Sequence, residues 1–519
     1  MKLSKKAKIG LFILLILLNL ILRYPVIYHE IGGDSLEIHS LANSLSIFGE
    51  ASWWVHPLGI IGMYPSTYAS AVPFLLSGVS QCTGLDVELV IFIYGLIFGL
   101  FSIFAGYIVA GEIYNNDLFK FLVAFGFSVS PGILAYTTWT APARSPFIII
   151  LPLFLYALLK SRKHHLRYGL ITVILALLLL ATHHLAFYLI PVFAVCFLVT
   201  IVYELKEHIG VIKRVIKRSE SLMPLIILSA FCLMFAYPFM THKFMVGGSR
   251  WDYSVYKEYA RYTGILVFLA IGGFAYLVFK QNKRYEEWSL LSMLLVLTVF
   301  IQQQMYMKWF ILIFAFLLAG IGLLNLFKLF EKKNKKGIAI ILIIFLLLSV
   351  FVGSFFQYWR PSGRMMDYIE DDTFATGLWF KENINGSSVP SSESEMVGFR
   401  IGAISGKPVF SGVSSVAQAY GFVDSNKEFT LKKLPITSEE FWMCSPYKRV
   451  AGSDARGYYN DLMKREYNSP RGSELVSKFN LSYVIGISEG GGSKFLNSII
   501  YDEKEVIYDC GRINVWCLN

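Results

Sequence analysis

The chain is poor in charge. Only 16% of its 519 residues are Asp, Glu, Lys or Arg, well under the quarter usual in a soluble domain. Six cysteines are scattered with no metal-binding spacing, and they prove no bridge. From about Tyr28 to Glu88 there is no Lys or Arg at all, yet Glu30, Asp34, Glu37, Glu50, Asp86 and Glu88 are there. These shortages exclude an ordinary soluble enzyme. What is present instead is apolar: 55% hydrophobic residues and a mean hydropathy of +0.54.

The apolar residues fall in runs long enough to cross about 30 Å of hydrocarbon. Eleven spans are expected, at about 9–27, 89–110, 119–136, 146–159, 168–182, 185–203, 221–240, 263–279, 288–304, 309–327 and 337–356. Basic residues set the orientation. With the N-terminus inside, the inner loops hold 22 Lys and Arg and the outer loops before the tail hold seven. An odd number of spans then puts the tail outside. The first run follows Lys2, Lys5, Lys6 and Lys8, and no small-residue cleavage site comes after it. It reads as an uncleaved anchor. The net charge of +11 comes from inner loops facing anionic lipid and calls for no nucleic acid.

The expected fold class is therefore a polytopic α-helical membrane protein of about eleven helices, N-in and C-out. A membrane part spans 1–356, with a structured first outer loop at 28–88. A soluble extracytoplasmic domain of α/β or α+β type spans 357–519. Within it, Asp372–Asn383 reads as a short helix. Lys407–Phe410 and Leu481–Gly486 read as short apolar runs. Glu505–Tyr508 and Ile513–Leu518 flank Asp509-Cys-Gly-Arg512 as a hairpin. Cys444, Cys510 and Cys517 lie in this tail, where a disulfide is an option. Asn385-Gly-Ser387 and Asn480-Leu-Ser482 are glycosylation sequons.

In the first outer loop, Ile38, Leu41, Ala42, Leu45 and Phe48 recur at helical spacing. Such a helix is expected to lie at the membrane interface, with Trp53 and Trp54 at headgroup level. Asp34 precedes it. A carboxylate there can take a proton, hold a divalent cation, or simply cap the helix starting at Ser35. Glu37 and His39 are about one turn away and Glu30 is nearby. At other outer ends stand Arg144, suited to phosphate oxygens, the pair His183 and His184, and Lys308 beside Gln302, Gln303 and Gln304. Arg250, with Trp251 and Asp252, lies in the outer loop after the seventh span.

The plan, together with Gly33-Asp34 followed by Ser35 to Gly49, resembles the GT-C superfamily of membrane glycosyltransferases. It is similar in plan to oligosaccharyltransferase catalytic subunits and protein O-mannosyltransferases. The resemblance implies an inverting transfer of sugar from a polyprenyl- or dolichyl-phosphate donor, on the outer face, to a glycan, lipid or protein acceptor. It also implies that Asp34 does the chemistry as base or metal ligand, with Mg or Mn as the candidate metal. The remaining residues named above would bind donor or acceptor. Two departures from the oligosaccharyltransferase pattern stand out. The tail has no Trp-Trp-Asp-Tyr-Gly segment, and Tyr136–Pro146 has no Asp or Glu. They favour transfer of one sugar or a short unit over en bloc transfer to Asn. Competing readings are a transporter or flippase, or a polysaccharide polymerase or ligase.

Overall fold

The computed structural model describes residues 2–25, 27–65, 67–208, 222–241, 253–301, 304–359, 369–384, 388–423, 430–436, 438, 441, 446–450, 455–488 and 492–518. The chain is mostly helical. It begins with α1 (Lys5–Leu22), α2 (Gly33–Phe48), α3 (Ala71–Thr83) and α4 (Val87–Ile113). Then come α5 (Asp117–Val129), the short α6 (Pro131–Leu134), α7 (Arg144–Ser161), α8 (His165–Thr182) and α9 (Leu189–His208). A 3₁₀ turn, His184–Tyr188, joins α8 to α9. Next are α10 (Met223–Thr241), α11 (Tyr253–Thr263), α12 (Leu266–Phe279), α13 (Tyr285–Thr298), α14 (Gln304–Lys332) and α15 (Lys336–Trp359).

Where the apolar segments are described, most of their residues are helical. Among the described residues, six helices are long and apolar enough to cross a membrane: Val87–Ile113, Arg144–Ser161, His165–Thr182, His184–Leu205, Met307–Lys332 and Lys336–Phe356. The segment expected as one span at 119–136 is broken, because Ser130 turns extended before Pro131 starts a new helix. The bundle is apolar inside and out. Phe127, Phe154, Phe310 and Phe314 are buried, while Leu170, Phe197, Phe268 and Phe345 are largely exposed. Large apolar faces on both sides of a helix belong in lipid, and the protein is membrane-embedded.

Arg23, expected in an outer loop, is instead buried at the end of α1. It donates from Nη1 to Asn19 Oδ1 (2.6 Å), from Nε to Thr137 Oγ1 (3.1 Å) and from Nη2 to the Ser128 carbonyl (3.2 Å). A Cβ at Gly99 of α4 would come within 1.9 Å of that Nε, so only glycine leaves room for the guanidinium. The arginine thus fastens α1 to α5 and to the segment that leads into α7.

The C-terminal unit is a three-layer sandwich. Its elements are α16 (Asp371–Asn383), β1 (Val389–Ser392), α17 (Glu395–Ser405), α18 (Ser414–Ala419), β2 (Leu431–Lys433) and β3 (Tyr447–Arg449). After them come α19 (Ala455–Met463), α20 (Pro470–Lys478), β4 (Leu481–Ile487), α21 (Lys494–Tyr501), β5 (Val506–Asp509) and β6 (Ile513–Cys517). The main sheet has the order β1-β4-β6-β5, with β1 parallel to β4 and the other pairs antiparallel. Strand alternation sends Ile485 and Val515 toward α16 and α17, and Val484 and Trp516 toward α19, α20 and α21. The hairpin at the end of the chain forms as expected, with Gly511 at φ 88° in its turn. Phe410 makes only an isolated bridge to Ser391, so Lys407–Phe410 is not a strand. No disulfide joins the described cysteines, and Cys444 lies outside them. Asn385–Ser387 also lies outside the described residues.

Candidate functional site

The first outer loop forms its helix over Gly33–Phe48, but not as an interfacial one. Leu36, Ile38, Leu41 and Leu45 are buried, and so are Ser35, Ser40 and Ser44. The helix is wedged between α3 and α4 on one side and α17 and α18 on the other. It packs on the C-terminal unit through Leu36, against Phe399, Ala403 and Val416, and through Leu41 and Leu45, against Ala419, and polar bonds add to this. Asn43 Nδ2 donates to the Ala403 carbonyl (2.8 Å), and Tyr420 Oη donates to the Ser40 carbonyl (3.2 Å). Trp53 is likewise buried instead of sitting at headgroup level, while Trp54 is partly exposed and stacks on Phe74. Asp34 is not the cap. Gly32 holds that position at φ 97°, a backbone that suits glycine, and Asp34 falls in the first turn.

In the first turn Asp34 is 40% exposed and forms an ion pair with Arg144 Nη2, whose side chain is 18% exposed. Arg144 opens α7 and lies over the faces of Trp309 (4.6 Å) and Tyr136 (5.7 Å). Lys308 Nζ lies 4.9 Å from the same Trp309 ring and 4.7 Å from Tyr262. One buried indole on α14 therefore holds two cations beside a carboxylate. Ring faces attract cations most where water is scarce. His183 and His184 stand with ring centroids 4.0 Å apart, near enough to Arg144 for its charge to reach both. His183 Nδ1 accepts from the Leu185 amide (3.0 Å) and so shapes the turn into α9.

Glu37 is one turn beyond Asp34. Its carboxylate accepts a hydrogen bond from Ser415 of α18. Burial pushes its carboxyl up to about 7. The Ser415 hydrogen bond opposes that rise, the Asp34 charge adds to it, and the Arg144 charge opposes it.

Glu30 and His39 go elsewhere. His39 Nδ1 lies 2.8 Å from Glu30 Oε1, and the Glu30 side chain is fully buried. Ser35 Oγ donates to Glu30 Oε2 (3.3 Å) and accepts from the Ala141 amide (2.9 Å). The Glu30 amide donates to Glu88 Oε1 (3.1 Å), and the Ile31 amide donates to the Trp139 carbonyl (3.0 Å). This closed network sews the first outer loop to the second and so sets the approach of Arg144 to Asp34. On the same side of α2, a cavity of about 240 Å³ is lined by His39, Asn43, Ser46, Glu88, Phe374 and Lys381, among others.

Of the residues expected at a site, Asp34, Glu37, Arg144, His183, His184 and Lys308 gather around Trp309 and the head of α2. Glu30 and His39 form the support behind it. Arg250, with Trp251 and Asp252, lies outside the described residues, as do Gln302 and Gln303. Sequence reasoning missed Trp309, Tyr136, Tyr262 and Ser415. Trp309 adjoins Lys308 and could have been read from the aromatic run Tyr306-Met-Lys-Trp309. Ser415 carries no signal. Among the described residues no three His, Cys, Asp or Glu side chains gather as a metal group, and Asp34 already faces a cation.

No family model matches the chain, and no curated protein matches it in sequence. Solved structures do match. The apo oligosaccharyltransferase of Archaeoglobus fulgidus superposes with a TM-score of 0.63 at 13% identity, covering 93% of this chain and 70% of that one. The archaeal oligosaccharyltransferase AglB from Archaeoglobus fulgidus, in complex with an inhibitory peptide and a dolichol-phosphate, gives 0.61 at 12%, covering 93% and 69%. Apo ArnT from Cupriavidus metallidurans gives 0.51 at 9%, covering 99% and 98%. This chain shares its fold with these archaeal oligosaccharyltransferase and ArnT structures.

Proposed function

We propose that the protein is a membrane glycosyltransferase. It moves a sugar from a polyprenyl- or dolichyl-phosphate donor to a glycan, lipid or protein acceptor at the outer face of the membrane. The observation that carries this reading is the Asp34–Arg144 pair at the head of α2, set among Lys308, His183, His184 and Trp309 in a GT-C fold. The dolichol-phosphate bound to the AglB neighbour supports a lipid-phosphate donor.

The chemistry follows from charge. A phosphate becomes a better leaving group as its growing charge is neutralised, and Arg144 and Lys308 are positioned cations. The aromatic faces behind them hold the guanidinium and ammonium without supplying a competing anion. Asp34 is the carboxylate that engages the acceptor beside the donor phosphate. No step is routed through a metal. The C-terminal unit, packed on α2, shapes the acceptor side from outside the membrane.

The test uses purified protein in lipid with a panel of radiolabelled polyprenyl-phosphate sugars. Wild type is expected to release or transfer sugar. Asp34→Asn is expected to lose about a thousandfold or more of that turnover while still binding donor. Undiminished turnover in Asp34→Asn removes Asp34 from the reaction. Absence of both binding and turnover with every donor and acceptor tried counts against the enzyme reading.

A further inference from the structure

Residues three apart on a helix share a face. Asp34 and Glu37 are such a pair, yet their surroundings differ. Asp34 meets a guanidinium from α7. Glu37 meets a neutral hydroxyl, Ser415 of α18, and among the described residues it forms no ion pair. We propose that Glu37 takes the proton from the acceptor hydroxyl, while Asp34 and Arg144 hold acceptor and donor in place. This assignment rests on the glycosyl-transfer reading above.

Geometry gives Glu37 a place beside the reaction centre and a hydrogen bond that fixes one carboxylate oxygen while leaving the other to receive a proton. Its carboxyl, raised by burial to about 7, is near the acidity at which a general base works best in neutral solution. Two carboxylates with surroundings this different commonly divide their labour. The remaining neighbours do not upset this arrangement. Helices α3 and α18 carry no charged residue, and Glu88 of α4 is engaged with His29 on the far side. Helix α17 brings Glu395, paired with Arg456, and Arg400. From α7 comes Arg144.

In the step, the acceptor hydroxyl oxygen bonds to the anomeric carbon. The bond from that carbon to the lipid phosphate oxygen breaks, and its electron pair leaves on the phosphate. The hydroxyl proton passes to the carboxylate of Glu37, which later returns it to water.

The test compares pH–rate profiles of wild type, Glu37→Gln and Ser415→Ala, with donor binding measured alongside. Wild-type turnover is expected to rise through an inflection near pH 7. Glu37→Gln is expected to fall about 10²–10⁴-fold, lose the inflection and keep donor affinity. Ser415→Ala removes a hydrogen bond that favours the charged form, so its inflection moves to higher pH. Infrared spectra of ¹³C-glutamate-labelled protein read the same group without turnover. A protonated-carboxyl band should vanish as pH rises through about 7 and be missing in Glu37→Gln. A Glu37→Gln enzyme as fast as wild type, or a Glu37 that titrates like an exposed glutamate, overturns the proposal and leaves the glycosyltransferase reading intact. Failure of wild type to transfer from any donor overturns both.

Discussion

Helix α2 has two faces, and they handle charge in opposite ways. On one, Glu30, Ser35 and His39 complete one another's hydrogen bonds in a buried, closed set. On the other, Asp34 remains 40% exposed against Arg144, and Glu37 has a lone hydroxyl from a distant helix. A satisfied buried network rigidifies the region around it. Charges left partly open and set against one another are available to a substrate. In the proposed reading, one sixteen-residue helix is both anchor and reaction surface.

That contrast can be broken from either side. Removing the closed network should cost the most stability. Glu30→Ala leaves the His39 and Ser35 donors buried without their acceptor, for a loss of about 2–6 kcal/mol at roughly 1–3 for each of the two groups. Chemical denaturation in detergent would read this, and Asp34→Asn serves as the control expected to unfold like wild type. If the two variants unfold alike, the faces are not distinct. Next in size, Arg144→Lys keeps the charge but loses the flat, forked guanidinium that lies over Trp309. Donor binding should weaken by about 1.5–3 kcal/mol, roughly ten- to a hundredfold, measured by titration of polyprenyl phosphate. Unchanged affinity would move the phosphate site elsewhere. The smallest change is Asn43→Ala, which deletes one hydrogen bond between α2 and α17. About 1 kcal/mol of stability should go, with turnover nearly kept. A large loss of turnover would mean that the junction with the C-terminal unit takes a direct part in the reaction.

Much of this was legible beforehand where local pattern decides the outcome. Apolar runs became helices, Ile38 to Phe48 gave α2, and Asp509-Cys-Gly-Arg512 made the turn of the last hairpin. Arg144, His183, His184 and Lys308 meet near Asp34 because each sits at a helix end, and loop polarity had placed those ends on one side. Other features depend on which element covers which, and periodicity carries no such information. Ser35, Ser40 and Ser44 look like a wet helix face, yet α2 is covered on both sides and buries them. A cap was one of the roles open to Asp34, but Gly32, at φ 97°, takes that position. Arg23 counted among the outer-loop cations, but Asn19, Thr137 and the Ser128 carbonyl give it a buried seat. Ser415, distant in sequence, has nothing in its own neighbourhood to mark it as the partner of Glu37.

The hydrogen bonds from Ser415 to Glu37, from Asn43 to Ala403 and from Tyr420 to Ser40 each join the first fifty residues of the chain to its fifth hundred. During synthesis α2 therefore emerges early and waits for most of the chain before its covering partners exist. A ribosome-bound or truncated product would hold Asp34 and Arg144 but lack the wall behind Glu37. The wall behind Glu37 is thus complete only once the chain has been made through its fifth hundred residues.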